Sequence, residues 1–135
     1  MAYDFFTRQP VRNAHVYFMR RVLYLHEHNL EVCISILRNT AWAMGPDSRM
    51  IICDMVLPES VEPERSLEVY RMDLDMMTIG LKEKTVAEFE QMLDAAGLEL
   101  VKVWRSGVGA LVQIESRLAR IRNGMSFFMN LDTNP

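Results

Sequence analysis

The chain has 135 residues, of which 50% are hydrophobic and 24% charged, with a net charge of -3. This length suits about one domain, and the composition excludes a disordered chain and a basic nucleic-acid-binding surface. The N-terminal segment MAYDFFTRQP lacks the apolar core of a signal peptide, and no run approaches the roughly 20 apolar residues of a membrane span. We therefore expect a soluble cytoplasmic protein that binds neither nucleic acid nor membrane.

The sulfur-containing residues are the first unusual feature. Cys33 and Cys53 lie in apolar segments without metal-ligand spacing, so we expect buried, reduced thiols. Eleven methionines are many for this length. They concentrate in two groups, which are Met72, Met76 and Met77 in the middle of the chain, and Met125 and Met129 beside Phe127 and Phe128 near its end. Such groups fill a core or a subunit interface, or line an adaptable apolar pocket.

The first half of the chain predicts a strand, a helix and a second strand. The β-rich segment VYFM predicts a short strand near residues 14–19, followed by a polar loop up to residue 28. Asn29 is the candidate N-cap of a helix that ends before Gly45. Residues 50–57, MIICDMVL, form an apolar run typical of a strand covered on both faces, with Asp54 near its C-terminal end.

The second half predicts two helices and a hairpin. Residues 65–80 carry apolar residues at helical spacing, and Thr85 with Glu88 forms a capping-box signature for a helix that ends at Gly97. Residues 98–104 and 110–115 predict two strands joined by the turn SGVG. The order β-α-β-α-α-β-β indicates an α/β sheet with one reversed strand. We expect one domain over residues 1–118 and a tail over 119–135.

Several motifs, taken together, carry a resemblance to a known family. They are DFFTRQPV (4–11), VYFMRRVL (16–23), ILRNTAWAMGPDSRMIICDMVLPE (36–59), LDMMTIGLKEKTVAEFEQMLDAAGL (74–98) and LVKVW (100–104). In order and spacing they resemble the C-terminal part of fungal and plant S-adenosylmethionine-dependent O-methyltransferases. The resemblance implies a truncated Rossmann-like half of that fold, with about four strands, the last antiparallel, and flanking helices.

The features that this family uses to bind its cofactor are largely missing. A glycine-rich turn after the first strand of the family holds S-adenosylmethionine, but this sequence has no glycine before Gly45. The first three strands and the helical dimerisation region of the family are absent as well. Asp4, Phe5 and Arg20 match positions that contact the cofactor in relatives. We expect these three to be remnants and the chain to bind no cofactor.

The catalytic residues of the family are only partly retained. The general base of relatives is a histidine directly after the arginine, valine and leucine stretch, where this sequence has Tyr24. His26 reaches that position only if two residues are treated as an insertion. The resemblance matches Asp54 and Glu83 to the two acids that orient the histidine in relatives. The alternative for Asp54 is a solvated or helix-capping acid, and for Glu83 a surface ion pair.

His26 and His28 are candidates for a partner in proton transfer, although histidines in a polar loop are commonly just exposed. Together with Glu27 and Glu31 they supply metal-ligand types. An HxH pair without a third well-spaced ligand is nevertheless a weak metal signal, so we predict no metal site.

The truncated resemblance, together with these residues, implies a cofactor-free reaction on a small aromatic or polyketide-like secondary metabolite, such as cyclisation, dehydration or isomerisation. Asp54 and Glu83 would orient or be the base, with His26, His28 or Tyr24 as partner. The pocket wall would be apolar and is predicted to contain Met72, Met76, Met77 and Phe127. The alternatives are a non-catalytic pseudo-methyltransferase subunit in complex with a larger biosynthetic enzyme, and a fragment of a true O-methyltransferase.

The first strand is predicted to have an open outer edge, because its neighbour in the family is absent. A bare apolar edge favours aggregation unless something covers it. We expect a second copy to cover this edge in a two-fold symmetric homodimer, or else the tail to fold back over it.

Overall fold

The structure, a computed structural model, describes residues 2–26, 29–58, 67–78, 80, 83–105 and 111–120. Its elements in chain order are β1 (Val16–Arg20), a short 3-10 helix (Leu23–His26), α1 (Leu30–Ala41), β2 (Arg49–Leu57), α2 (Leu67–Thr78), β3 (Lys84–Thr85), α3 (Val86–Ala95), β4 (Leu98–Arg105) and β5 (Leu111–Leu118). The predicted order of strands and helices is confirmed. The short helix and the two-residue β3 are additions, and most of the predicted tail lies outside the described residues.

The four longer strands form a mixed sheet in the order β1-β2-β5-β4. β1 runs parallel to β2, whereas β5 runs antiparallel to both β2 and β4. The predicted reversed strand is therefore confirmed, and it is the last one, inserted between β2 and β4. β3 pairs in parallel with the end of β2, where Val56 lies opposite Lys84.

One face of the sheet carries the hydrophobic core. In β2 the buried residues Met50, Ile52 and Val56 alternate along the strand and lie in the same cluster as Ile114 of β5. α1 and α3 contribute the other side of this cluster, for example Leu37 and the largest fully buried side chain, Phe89. Since successive strand residues point to opposite faces, Asp54 belongs to this buried face as well.

Local signals in the sequence set the ends of both packed helices. The Asn29 side chain accepts a hydrogen bond from the Val32 amide at the start of α1, as predicted. α3 begins with a complete capping box between Thr85 and Glu88, and Gly97 follows it with a φ of 79° that favours glycine. None of the helices described here has both the length and the apolar character needed to cross a bilayer.

The opposite face of the sheet is polar across β5 and β4. Arg49 of β2 lies 3.4 Å from Glu115 of β5, and the Trp104 indole N–H donates to the other oxygen of Glu115 at 2.8 Å. The Lys102 ammonium lies 3.6 Å from the centre of the Trp104 ring. This polar ladder, formed by Arg49, Glu115, Trp104 and Lys102, is suited to contact with water.

The capping box makes α3 sensitive to one hydroxyl group. The Thr85 hydroxyl accepts from the Glu88 amide at 3.3 Å. We expect Thr85→Ala to lower the free energy of unfolding by about 1 kcal/mol, as measured by urea denaturation. Thr78→Ala is the matched control, because the Thr78 hydroxyl lies at the exposed end of α2. Equal losses in the two variants would contradict the capping role.

Candidate functional site

Arg21 lies at the point where the chain leaves β1, and its backbone is strained. Its φ of 52° is in the left-handed region, which costs a non-glycine residue roughly 1–2 kcal/mol. The Arg21 amide donates to the Cys53 carbonyl oxygen of β2 at 3.0 Å, which holds the residue beside the second strand. Strain of this kind is characteristic of functional sites, and here it turns the side chain toward two acids.

The Arg21 guanidinium joins Asp54 and Glu83 into a group that we call the ion cluster. Its Nη1 donates to Asp54 Oδ1 at 2.8 Å and to Glu83 Oε1 at 3.1 Å. The Asp54 and Glu83 side chains are 2% and 1% exposed, whereas that of Arg21 is 21% exposed. The acids therefore lie behind the arginine, and Arg21 is the member of the ion cluster that a ligand can reach.

One hydrogen bond from a backbone amide fixes each of the two acidic residues. The Met55 amide donates to Asp54 Oδ1 at 3.0 Å, and the Glu83 amide donates to the Asp73 carboxylate of α2 at 3.0 Å. The second Asp54 oxygen, Oδ2, is buried and accepts no hydrogen bond from any residue that the structure describes. A buried acceptor without a partner is costly, and such atoms in folded proteins call for an explanation.

Tyr24, which is predicted to be a partner in proton transfer, stacks on Arg21. The centre of the Tyr24 ring lies 3.8 Å from the Arg21 guanidinium carbon, so the residue in the place of the family's base forms a cation–π contact. Lys84, next to Glu83, is buried, and its ammonium donates to the Leu23 carbonyl oxygen at 3.3 Å. The short helix, Leu23–His26, is thereby tied to the segment that carries Glu83.

Burial and charge shift the pKa of every member of the ion cluster. Burial raises the pKa of Asp54 above its ordinary 3.8, although the charge of Arg21 opposes the shift. Burial also raises the pKa of Glu83 above its ordinary 4.5, again against Arg21, and the nearby Asp54 adds to the increase. Burial alone would lower the pKa of Arg21, but Glu83 and Asp54 outweigh it and leave that pKa raised. The arginine therefore stays charged, and its acids bind a proton more readily than exposed carboxyls do.

The remaining predicted site residues are distributed over other parts of the chain. His26 is the last residue of the short helix, while His28 and Phe127 lie outside the described residues. Met72 and Met76 are half-buried on α2, and Met77 is exposed. None of these three methionines lines the cavity described next, although an apolar pocket wall was the role predicted for them.

A cavity of about 220 Å³ lies beside β1. Its walls are mainly apolar and aromatic and consist of Tyr3, Phe5, Gln9, Tyr17, Phe18, Met19, Arg20, Val22, Thr40 and Met50. Two of the predicted cofactor remnants, Phe5 and Arg20, are thus brought together. The third, Asp4, does not line the cavity, and its carboxylate accepts a hydrogen bond from the Phe6 amide at 2.9 Å.

Comparison with known proteins decides the family. The family model for the O-methyltransferase domain matches residues 1–99, which is well over half of the chain. The chain belongs to the O-methyltransferase family. The predicted resemblance is therefore confirmed.

Individual members of the family match only in part of their length. O-methyltransferase hmp5 of Hypomyces subiculosus is 42% identical over 120 residues, which cover 89% of this chain and 30% of hmp5. The sequence of OxaC, solved with SAH and oxaline, is 40% identical to this chain. The two structures superpose with a TM-score of 0.72, and the match covers 29% of OxaC. A solved structure described as a pericyclic reaction enzyme is 29% identical to this chain in sequence. Its TM-score is 0.72, and the match covers 30% of that enzyme. The chain thus spans about 30% of the length of these proteins.

The chain supplies too few residues to hold the cofactor of the family by itself. Phe5 and Arg20 offer an apolar contact and a charge, but the Asp4 carboxylate is already bonded to the chain's own backbone. The sequence before Gly45 contains no glycine for a close backbone approach to the cofactor. The residues present do not fit S-adenosylmethionine, and we derive no chemistry through it. Among the described residues, no group of three or more potential metal ligands occurs either.

Arg21 is the member of the ion cluster that the sequence pattern did not single out. The resemblance directed attention to Arg20, because that position contacts the cofactor in relatives. A signal was present all the same, since two retained acids without a histidine base need another partner, and a second arginine follows Arg20 directly. Only the left-handed turn shows that Arg21 is the one that meets Asp54 and Glu83.

Removal of Arg21 should destabilise the fold strongly. Arg21→Met leaves two buried carboxyls without their cation, and we expect the free energy of unfolding to fall by roughly 3 kcal/mol. Urea denaturation at neutral pH measures this loss. The triple variant Arg21→Met, Asp54→Asn, Glu83→Gln should recover part of it, because it leaves no uncompensated charge. Arg12→Met, which alters an exposed arginine stacked on Trp42, is the control. A triple variant no more stable than Arg21→Met would contradict the ion cluster.

The raised pKa values also predict how stability depends on pH. The folded state binds protons on Asp54 and Glu83 more tightly than the unfolded state does. Their contribution to the free energy of unfolding is therefore complete below the ordinary values of 3.8 and 4.5, and is lost as the pH rises through the raised values. Asp54→Asn combined with Glu83→Gln should flatten this decline in a series of urea denaturations above about pH 4. Glu90→Gln, an exposed control, should keep the wild-type slope.

Proposed function

We propose that this chain acts on a small secondary metabolite and uses Arg21 to stabilise negative charge that develops on the substrate, without transferring a methyl group itself. The observation that supports this most directly is the layering of the ion cluster. Arg21 is partly exposed, while the two acids that hold it are almost completely buried. A cation fixed in this way is oriented before a substrate arrives, which is the arrangement that makes electrostatic catalysis effective.

The guanidinium has donors to spare for a substrate. Its Nη1 is used by Asp54 and Glu83, and among the described residues no acceptor binds Nη2 or Nε. The Tyr24 ring stacks on the guanidinium, with its centre 3.8 Å from the guanidinium carbon. A carbonyl, enolate or phenolate oxygen of an aromatic or polyketide-like substrate has the charge and size to accept from those donors.

The reaction class follows from where the charge develops. When a base removes a proton next to a carbonyl group, the electron pair of the C–H bond forms a C=C bond and the π pair of the C=O bond moves onto the oxygen, and Arg21 would stabilise the resulting enolate oxygen. Cyclisation, dehydration and isomerisation of polyketides all include such a step. Candidates for the proton acceptor are the Tyr24 hydroxyl and His26, since the Asp54 carboxylate is buried behind Arg21.

The family context supports a reaction other than methyl transfer by this chain alone. Its relatives include fungal O-methyltransferases such as hmp5, and one similar structure is described as a pericyclic reaction enzyme. The present chain has Tyr24 in the place of the family's base and lacks residues that fit the cofactor. The ion cluster, by contrast, is complete within this chain.

A second candidate function is that of a non-catalytic subunit, or of one part of a true S-adenosylmethionine-dependent O-methyltransferase. The observation that favours it is the length of the match, since the chain spans about 30% of hmp5. Calorimetry distinguishes the two candidates. The first predicts no heat of binding when S-adenosylmethionine is titrated into the isolated chain, and measurable affinity would favour the second.

Turnover tests the first candidate directly. The purified chain is incubated, without cofactor, with a panel of enolisable aromatic polyketides, and the products are followed by mass spectrometry. Arg21→Lys keeps the charge but loses the planar guanidinium and its paired donors, and we expect it to lower kcat at least tenfold. We expect Arg21→Met, which removes the charge as well, to lower kcat by about 100-fold to 1,000-fold. Circular dichroism checks that each variant is folded.

The control for turnover is Arg12→Met, because Arg12 is exposed and stacks on Trp42 through its guanidinium. It should retain wild-type kcat. Product formation that survives in folded Arg21→Met, or that depends on added S-adenosylmethionine, would contradict the proposal.

A further inference from the structure

The Arg21 guanidinium uses a single one of its nitrogens to hold both acids. Nη1 donates to Asp54 Oδ1 at 2.8 Å and to Glu83 Oε1 at 3.1 Å, with Glu83 Oε2 at 3.4 Å. Among the described residues no acceptor binds Nε or Nη2. The acids therefore hold the guanidinium at one corner and leave the donors of its other two nitrogens for a ligand.

The unused donors of Arg21 share one edge of the group. Nε and Nη2 lie on the side that faces away from Cδ, and each directs one N–H along the same line. Two parallel donors of this kind form the fork with which an arginine binds two oxygens at once. Nη1 lies on the Cδ side and takes no part in that fork. The contacts with Asp54 and Glu83 thus leave the most selective edge of the guanidinium intact.

The fork is both accessible and fixed. Within the described part of the chain, Asp54 Oδ2 is the buried side-chain nitrogen or oxygen atom that lacks a partner. Nε and Nη2 of Arg21 lack a partner too, so they are in contact with solvent. The two acids fix Nη1, and the stacked Tyr24 ring, 3.8 Å from the guanidinium carbon, fixes the plane. The fork therefore has a defined direction before a ligand binds.

Two parallel donors select a ligand that has two oxygens on the same side. A single ketone accepts from one N–H and leaves the other without a partner, whereas a β-dicarbonyl compound accepts from both. When a base removes the proton between the two carbonyl groups, the C–H electron pair forms a C=C bond and the π pair of one C=O bond moves onto its oxygen. The negative charge is then shared by the two oxygens that face the fork, and both hydrogen bonds become stronger.

We propose that the substrate is a β-dicarbonyl compound whose two oxygens bind Nε and Nη2 of Arg21 together and whose enolate is stabilised through both bonds. This inference rests on the proposed function, because it names the substrate class of the same site. A carboxylate also offers two oxygens, but its charge is present before the reaction. Arg21 would then stabilise substrate and transition state equally and would not accelerate the reaction.

Three ligands of matched size test the substrate class by calorimetry on the full chain. Benzoylacetone carries the β-dicarbonyl group, benzylacetone lacks one of its two carbonyl groups, and hydrocinnamate carries a carboxylate instead. The titrations are made above the pKa of the benzoylacetone enol, so that its enolate is compared with the carboxylate as one anion with another. We expect the enolate to bind at least tenfold more tightly than benzylacetone and more tightly than hydrocinnamate. Just below that pKa, the ultraviolet absorbance of the enolate should increase on binding, since the fork favours the charged form.

The fork itself is tested with Arg21→Lys, which keeps the charge but has no paired donors. This variant, checked for folding by circular dichroism, should bind the enolate at least tenfold more weakly. Arg12→Lys is the matched control, because the Arg12 guanidinium also stacks on an aromatic ring, with its carbon 4.1 Å from the centre of Trp42. It should bind the enolate like the wild type.

Several results would overturn the proposal. They are no detectable binding of benzoylacetone, tighter binding of hydrocinnamate, wild-type affinity in folded Arg21→Lys, and an equal loss in Arg12→Lys. If Arg21→Lys does not fold, the three ligands on the wild-type chain decide the question. Failure of the proposed function is a separate result. A chain that binds the enolate selectively but converts no polyketide contradicts that function alone, and one that converts single ketones as fast as β-dicarbonyls contradicts this inference alone.

Discussion

The burial of two carboxyl groups beside each other is the constraint on which the rest of this site depends. Asp54 and Glu83 are almost fully shielded from water, and two such carboxyls stay ionised beside each other only if a cation compensates their charge. Arg21 supplies it, and to do so the chain takes a left-handed turn directly after β1. The stacking of Tyr24 on the guanidinium follows from that turn. One electrostatic requirement thus joins the ends of β1 and β2 to the segment before α3.

The same arrangement separates two surfaces of the molecule. Of the ion cluster, Asp54 lies within β2 and Arg21 directly follows β1, whereas the cavity lies beside β1 and is lined by Arg20 and Val22 on either side of Arg21. The reversed strand β5 lies between β2 and β4, and together with them it carries the polar ladder that lets half of one sheet face meet water. Val16 and Phe18, both exposed, lie on the same face at β1.

Membership of the O-methyltransferase family leaves the chemistry of this chain open. The matched region covers about 30% of hmp5, and the residues around Arg20 do not fit the cofactor by themselves. The sequence resemblance matches the two acids to acids of the family, Tyr24 stands in the place of the family's histidine, and Arg21 contacts both acids. Because an arginine stays charged and does not accept a proton at neutral pH, the proposed role of the ion cluster is charge stabilisation.

The sequence by itself determined the strands and main helices, the caps at Asn29 and Thr85 and the reversed last strand, and it singled out Asp54 and Glu83, which the structure brings together. These features depend on local periodicity, on capping groups or on a matched motif, all of which a linear pattern records. Only the tertiary structure decided that Arg21, and not Arg20, joins the acids, and that the cavity runs along β1 instead of beside the methionines of α2. The physical reason is that both depend on a single backbone torsion angle and on contacts between residues distant in the chain.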